Sequence, residues 1–233
     1  MNKQSNTYTI LYAAVMVILV AAVLAVTSLG LKGRQTRNVE IDKMKQILSS
    51  VHVAATAADA QELYRKYIID SFVLDSKGER TAGADAFTVD VAVQTKLPAD
   101  ERELPVFVCR LDNGEQKYIL PLYGAGLWGP IWGYLALDAD GNTVYGAYFA
   151  HQGETPGLGA EIEKAPFSDQ FRDKRLFIAG DFTSIAVEKK GQKPSNGADY
   201  VDAISGGTIT SKGVQAMLAN SLAPYTVFLK SLQ

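Results

Sequence analysis

Thr208, Thr210 and Ser211 place three side-chain hydroxyls directly after the pair Gly206-Gly207, inside the stretch Asp202–Val214. Downstream, Val214, Met217, Leu218 and Leu222 recur at spacings of three and four, which marks one face of a helix. A hydroxyl- and glycine-rich loop at the start of a helix has two uses. Its side chains can cap the free amides of the first turn, the commoner role of Ser and Thr there, with Gly-Gly as a simple turn. Alternatively, the amides and the helix dipole can hold an anion, above all a phosphate. On the loop alone, capping is the favoured reading.

Two further glycine-rich stretches set large apolar side chains beside their glycines. Tyr123–Pro130 carries Trp128, and His151–Gly159 carries Leu158. Glycine lets a ligand approach the backbone, and the large side chains can cover a flat ring. Two tight connections between strands would look the same. Neither stretch is a strand-GxGxxG-helix unit or a Gly-Lys-Ser/Thr phosphate loop.

Several other chemistries are excluded. Cys109 is the single cysteine and lies in the apolar run Val106–Cys109, so it reads as a small buried hydrophobe and no disulfide framework is possible. His52 and His151 are far apart and no His/Cys spacing suits zinc or iron. No Ser/His/Asp constellation suggests a hydrolase. With a net charge of −2, a pI of about 5.7 and no basic block, nucleic acid is not expected as a partner. Asp138-Ala139-Asp140-Gly141-Asn142 resembles the start of a calcium loop but lacks the later ligands and the closing Glu, so it reads as a hairpin turn.

The elements that would position these residues follow from periodicity. No charged residue occurs between Lys3 and Lys32, and Ile10–Leu29 is almost wholly apolar. About 20 such residues cross a bilayer as a helix, whereas a cleaved signal has a core of only about 7–15. Tyr8 and Tyr12 suit the headgroup level. The chain therefore divides into a short tail at 1–6, a transmembrane helix at 7–31, a helical membrane-proximal segment at 32–83 and a domain at 84–233. Lys32, Arg34 and Arg37 follow the span while Lys3 alone precedes it, and this charge balance puts the domain in the cytoplasm.

Ile41, Met44, Ile47, Leu48 and Val51 recur at helical spacing, and a second helix is expected from Ala57 to Ile68, with Thr56 and Asp59 as its cap. Phe87–Gln94 alternates apolar and polar residues as a half-buried strand does. Pro105–Leu111, Tyr118–Leu122, Ile131–Leu137 and Val144–Ala150 are further expected strands, with strands dominating from about 85 to 190. Helices before and after the strands predict an α+β domain around a largely antiparallel sheet.

Taken in order, Leu120-Pro-Leu-Tyr-Gly-Ala-Gly-Leu-Trp128, His151-Gln-Gly-Glu-Thr-Pro-Gly-Leu-Gly159 and Ser205-Gly-Gly-Thr-Ile-Thr-Ser211, behind an N-terminal anchor, resemble the NqrC family, the flavin-carrying components of Na⁺-translocating NADH:ubiquinone reductases. The likeness covers nearly the whole chain and is weakest between about residues 50 and 100. It implies an FMN-binding domain at 84–233 and an FMN joined through its phosphate to the last Thr of a Ser/Thr-Gly-Ala-Thr/Ser-x-Thr loop, here Thr210. Ser205, Gly206, Gly207, Thr208 and Ser211 then surround the phosphate, and Leu127, Trp128, Glu154, Thr155, Leu158 and Gly159 are the expected neighbours of the ring. Gly207 departs from the alanine of that pattern. The resemblance further implies electron relay within a multi-subunit bacterial inner-membrane complex that oxidises NADH, reduces ubiquinone and exports Na⁺. It implies attachment by a separate FAD-dependent flavin transferase, no stand-alone catalytic site and a periplasmic domain, against the charge balance. From the residues themselves, no metal is expected and the apolar span is expected to contact membrane lipid. The FMN-carrying RnfG component of the related Rnf electron-transport complex is the alternative within the same class. A cofactor-free membrane-tethered binding module is the alternative from another.

Overall fold

A computed structural model of the chain describes residues 6–233; all of the tail expected at 1–6 except Asn6 lies outside the described residues. The chain divides into two units, one ending at Lys43 and the other Met44–Gln233. Helix α1 is continuous from Asn6 to Ser49. Within it an apolar window of mean hydropathy 2.8, none of it buried, makes the helix long and apolar enough to cross a membrane.

The second unit is an α+β domain. After the end of α1 come α2 (Ala60–Tyr67), β1 (Ile68–Leu74), a short α3 (Val91–Gln94), β2 (Leu104–Arg110), β3 (Gln116–Ala125), β4 (Pro130–Leu137) and β5 (Val144–His151). β1 to β5 form one antiparallel meander in chain order. Beyond it lie a 3₁₀ turn (Gly159–Glu163), α4 (Ala165–Ser168), the two-stranded pieces β6 (Phe177–Ile178) with β7 (Asp181–Phe182) and β8 (Ala186–Glu188) with β9 (Tyr200–Asp202), then α5 (Thr208–Leu222) and α6 (Thr226–Ser231).

The sheet is buried on both faces, which is why its strands read as near-continuous apolar runs. Leu120, Leu122, Leu135 and Leu137 join one core with Val214, Met217, Leu218 and Leu222 of α5. Phe107, Cys109, Ile119, Tyr134 and Ala136 join another with Ile47, Leu48 and Val51, at and just past the end of α1. Alternation along each strand thus feeds two cores at once. Burial pushes the Cys109 thiol up to about 11, as befits an inert core residue.

Three expectations need correction. Phe87–Gln94 is not a strand. The Asp85 carboxylate accepts from the Phe87 amide, and Asp90 accepts from Ala92 and Val93 at 3.0 and 3.3 Å, capping α3. These local side-chain bonds displace a ladder. Second, the helix expected over Ala57–Ile68 starts at Ala60, and Ile68 already belongs to β1. The Thr56–Asp59 pair does bond, the Thr56 amide donating to Asp59 Oδ1 at 2.6 Å, but it braces the turn that precedes the helix. β1 escaped notice because its first half, through Ser71, is mostly exposed and carries polar residues. Third, strands do not dominate to residue 190: after His151 the chain is mainly turns and short helices.

Candidate functional site

Three connections converge at one end of the sheet: the β3–β4 turn (126–129), the loop after β5 (152–158) and the turn from β9 into α5 (203–207). α5 can lie close over the first because residue 213 is glycine. A β-carbon there would overlap the Ala125 carbonyl.

The turn into α5 is built differently from the expected cap. The N-cap position is Gly207, which has no side chain to offer, and no hydroxyl takes its place. Among the described residues, the amides of Thr208, Ile209 and Thr210 meet no backbone acceptor; the first to do so is Ser211, to the Gly207 carbonyl at 2.9 Å. Ser211 Oγ instead accepts from the Ile204 amide at 3.0 Å, bracing the loop. The first turn therefore presents open donors at the positive end of a 15-residue helix.

Thr210 lies within that open turn and is buried. Its hydroxyl donates to Glu154 Oε2 at 2.6 Å. The other oxygen, Oε1, accepts from the Trp128 amide at 2.9 Å. Glu154 is itself 5% exposed. Burial by itself would raise its carboxyl. The Thr210 hydroxyl, the amides of Trp128 and Leu127 and, least, the neighbouring His151 outweigh that and hold it below the ordinary carboxylate range. Two glycines wall it in: a β-carbon on Gly126 or Gly159 would overlap the carboxylate. The Glu154 amide donates to His151 Nδ1 at 3.0 Å, and Nε2 of the same ring stands 3.6 Å from Glu163 Oε1.

Above this pair opens a pocket of about 230 Å³. Of the residues singled out in the sequence, Leu127, Glu154, Thr155, Leu158, Gly159, Gly206, Gly207, Thr208 and Thr210 line it, joined by Ile209. Ser205, Ser211 and Trp128 do not. Trp128 belongs to the group of exposed apolar side chains on these loops: Trp128 at 68%, Ile209 at 58%, Leu127 at 47% and Leu158 at 41% exposure. Such a group around a polar floor marks a surface that something covers.

The FMN-binding domain family matches residues 126–223, the span that holds all three connections. The NqrC protein of Yersinia pestis, a component of its Na⁺-translocating NADH-quinone reductase, is 31% identical over 92% of this chain and 87% of its own. Its counterpart in Vibrio vulnificus is 33% identical over 83% of this chain and 81% of its own. The chain belongs to the NqrC family of Na⁺-translocating NADH-quinone reductases. Among solved members, that of Parabacteroides distasonis superimposes with a TM-score of 0.80 at 50% identity, covering 85% of this chain and 96% of its own. The Shewanella oneidensis member gives 0.67 at 25% identity, over 83% and 99%. The fold of the family is therefore that of this chain, helix-flanked antiparallel sheet included.

The sequence did not disclose how Glu154 is used. It is expected there as a ring neighbour; the structure adds that its carboxylate forms the floor of the pocket and pairs with Thr210. The available signal was a lone acidic residue in a loop of glycines and apolar side chains. Gly126 and His151, which shape and hold Glu154, were legible only as parts of their loops.

Proposed function

We propose that this chain carries FMN as a phosphoester on Thr210 and relays electrons within a Na⁺-translocating NADH:quinone reductase. The observation that carries the reading is a buried threonine hydroxyl at the floor of a pocket whose helix amides are left without acceptors. The donor set fits a phosphate: open amides of Thr208, Ile209 and Thr210, with the Thr208 hydroxyl exposed beside them. About 230 Å³ is less than the roughly 300–1,000 Å³ that engulfs a drug-sized ligand. The exposed apolar side chains of Leu127, Trp128, Leu158 and Ile209 would hold the flavin ring by apolar contact. When bound, FMN supplies the electron-transfer chemistry; the protein supplies position, electrostatics and partial shielding from water. An intact-mass measurement on full-length protein, co-expressed with a flavin transferase, should show the FMN-phosphoryl increment. A protein that stays at its bare mass under those conditions would refute the reading.

Nothing in the apolar part of α1 offers an ion path: from Asn6 to Leu31 it holds no Asp, Glu, Lys, Arg or His. Coupling to Na⁺ and the NADH and quinone sites therefore belong to partner proteins of the complex. We read 7–31 as the lipid-embedded anchor in a bacterial inner membrane and 32–83 as the membrane-proximal segment, whose β1 already belongs to the sheet, so that the segment is not wholly helical. The flavin domain, centred on 84–233, lies on the periplasmic side in this reading. The charges flanking the anchor oppose this placement by a margin of only Lys32, Arg34 and Arg37 against Lys3, which assembly with multi-span partners can override. Protease added to intact spheroplasts should digest the domain; a domain that survives would put it in the cytoplasm.

A further inference from the structure

We propose that Glu154 is the base that takes the Thr210 proton as the flavin phosphoester forms, and that it keeps this proton beside the finished ester. The proposal rests on the phosphoester reading above. The step balances without any change of oxidation state. Thr210 Oγ1 attacks the flavin-side phosphorus of a flavin dinucleotide presented by a transferase. The Oγ1–P bond forms, the pyrophosphate P–O bond breaks, and AMP leaves with that bond's electron pair. The Oγ1 proton passes to Glu154 Oε2.

Four observations support the role. The two oxygens between which the proton moves are already 2.6 Å apart, within the reach a general base needs. The carboxylate cannot swing away, since the Trp128 amide holds its other oxygen and Gly126 and Gly159 close both sides. Its charge is buried without a salt bridge to a permanent cation: among the described residues no Lys or Arg pairs with Glu154, and the nearest ring, His151, meets only its backbone amide at Nδ1. A buried carboxylate is an expensive way merely to satisfy one hydroxyl, which a neutral acceptor would do. Finally, the carboxyl is held below its ordinary range, so the side chain is ionised at neutral pH, as a base must be.

Once the ester exists, Oγ1 has no proton, and two bare acceptors do not sit at hydrogen-bond distance. The phosphodiester also adds about one negative charge next to the carboxylate. Both favour the neutral acid, which can donate to the ester. Attachment thus switches Glu154 from charged to neutral. The titratable and charged groups facing it are few. His151 comes from the end of β5, with Glu163 of the 3₁₀ turn behind it. The β3–β4 turn offers only amides, and from α5 it meets Thr210, Lys212 being exposed.

The test follows attachment by intact mass, using full-length detergent-solubilised protein, a purified flavin transferase and FAD. Glu154→Gln keeps the shape and the Trp128 bond but cannot take a proton. It should slow attachment about 10²- to 10⁴-fold at neutral pH, the range a general base supplies. With the same transferase, the wild-type advantage should shrink about tenfold per pH unit as hydroxide replaces the base. Glu154→Asp should outpace Glu154→Gln at every pH. An E154Q rate within about threefold of wild type, or a ratio that does not change with pH, overturns the proposal. If the wild type takes no label at all, the phosphoester reading itself fails instead. Should E154Q fail to fold, infrared difference spectra of wild type labelled with ¹³C-glutamate decide: a protonated-carboxyl band should appear on attachment, and its absence overturns the proposal.

Discussion

Thr210→Ala, made together with the flavin transferase, should yield protein with no flavin fluorescence in a denaturing gel, while Thr208→Ala stays fluorescent. The contrast sets chemistry against accessibility. Ser205 and Thr208 are the exposed hydroxyls of the loop, and Thr210 is 1% exposed. If access chose the acceptor, one of the exposed pair would carry the flavin and Thr210→Ala would remain bright, which would remove Thr210 from its role. Neither Ser205 nor Thr208 has a side-chain acceptor among the described residues, whereas Thr210 is bonded to a carboxylate. Thr210→Ala also leaves Glu154 Oε2 buried without its donor, a loss of about 1–3 kcal/mol. A dark gel must therefore be accompanied by a thermal-unfolding control. Thr210→Ser separates the two effects: it keeps the hydroxyl and loses one methyl, so it should fold and retain covalent flavin. A Thr210→Ser protein that is well folded yet dark would mean that the loop, and not the hydroxyl, is what the transferase reads.

How much of this was legible in the sequence depended on the kind of interaction. The α5 face was readable because Val214, Met217, Leu218 and Leu222 bury one helical stripe, and all four are in the core. The central strands were readable because burial on both faces made them long apolar runs bounded by turn residues. β1 was not, since an edge strand with Asp70 and Ser71 outward lacks that signal. Phe87–Gln94 misled because its alternation is genuine but belongs to a chain held in turns by Asp85 and Asp90. At the site, the residue types pointed to the three loops, but the choice between cap and anion site lay in backbone geometry. A glycine, rather than a hydroxyl, occupies the N-cap. The pairing of Glu154 with Thr210 spans 56 positions and is made by the sheet, so no local spacing could announce it.

Two glycines that meet across the pocket should respond very differently to alanine. At Gly159 a β-carbon would overlap Glu154 Oε2 and stand 2.5 Å from Thr210 Oγ1. The pair must part to admit it, and a displacement of about 1 Å can cost about 10²-fold in a reaction that depends on alignment. Gly159→Ala should therefore cut the attachment rate by about that factor. At Gly207 the case is different. Its φ of −102° and ψ of 37° need no glycine. A β-carbon would meet Ile204 Cγ2 at 3.1 Å and the Gly159 amide nitrogen at 3.4 Å, close enough to press on the Ile204 side chain but not to overlap backbone. The tight contact opposes the roughly 0.4–1 kcal/mol that reduced freedom of the unfolded chain contributes. Gly207→Ala should thus leave stability within about 1 kcal/mol and attachment at the wild-type rate. The alanine of the pattern this loop resembles is then an allowed alternative here, and the residue that must remain glycine at the turn is Gly206, at φ 76° against Leu158. If Gly207→Ala abolished attachment while Gly159→Ala did not, the carboxylate cage would not be what readies Thr210, and the loop's own flexibility would take its place.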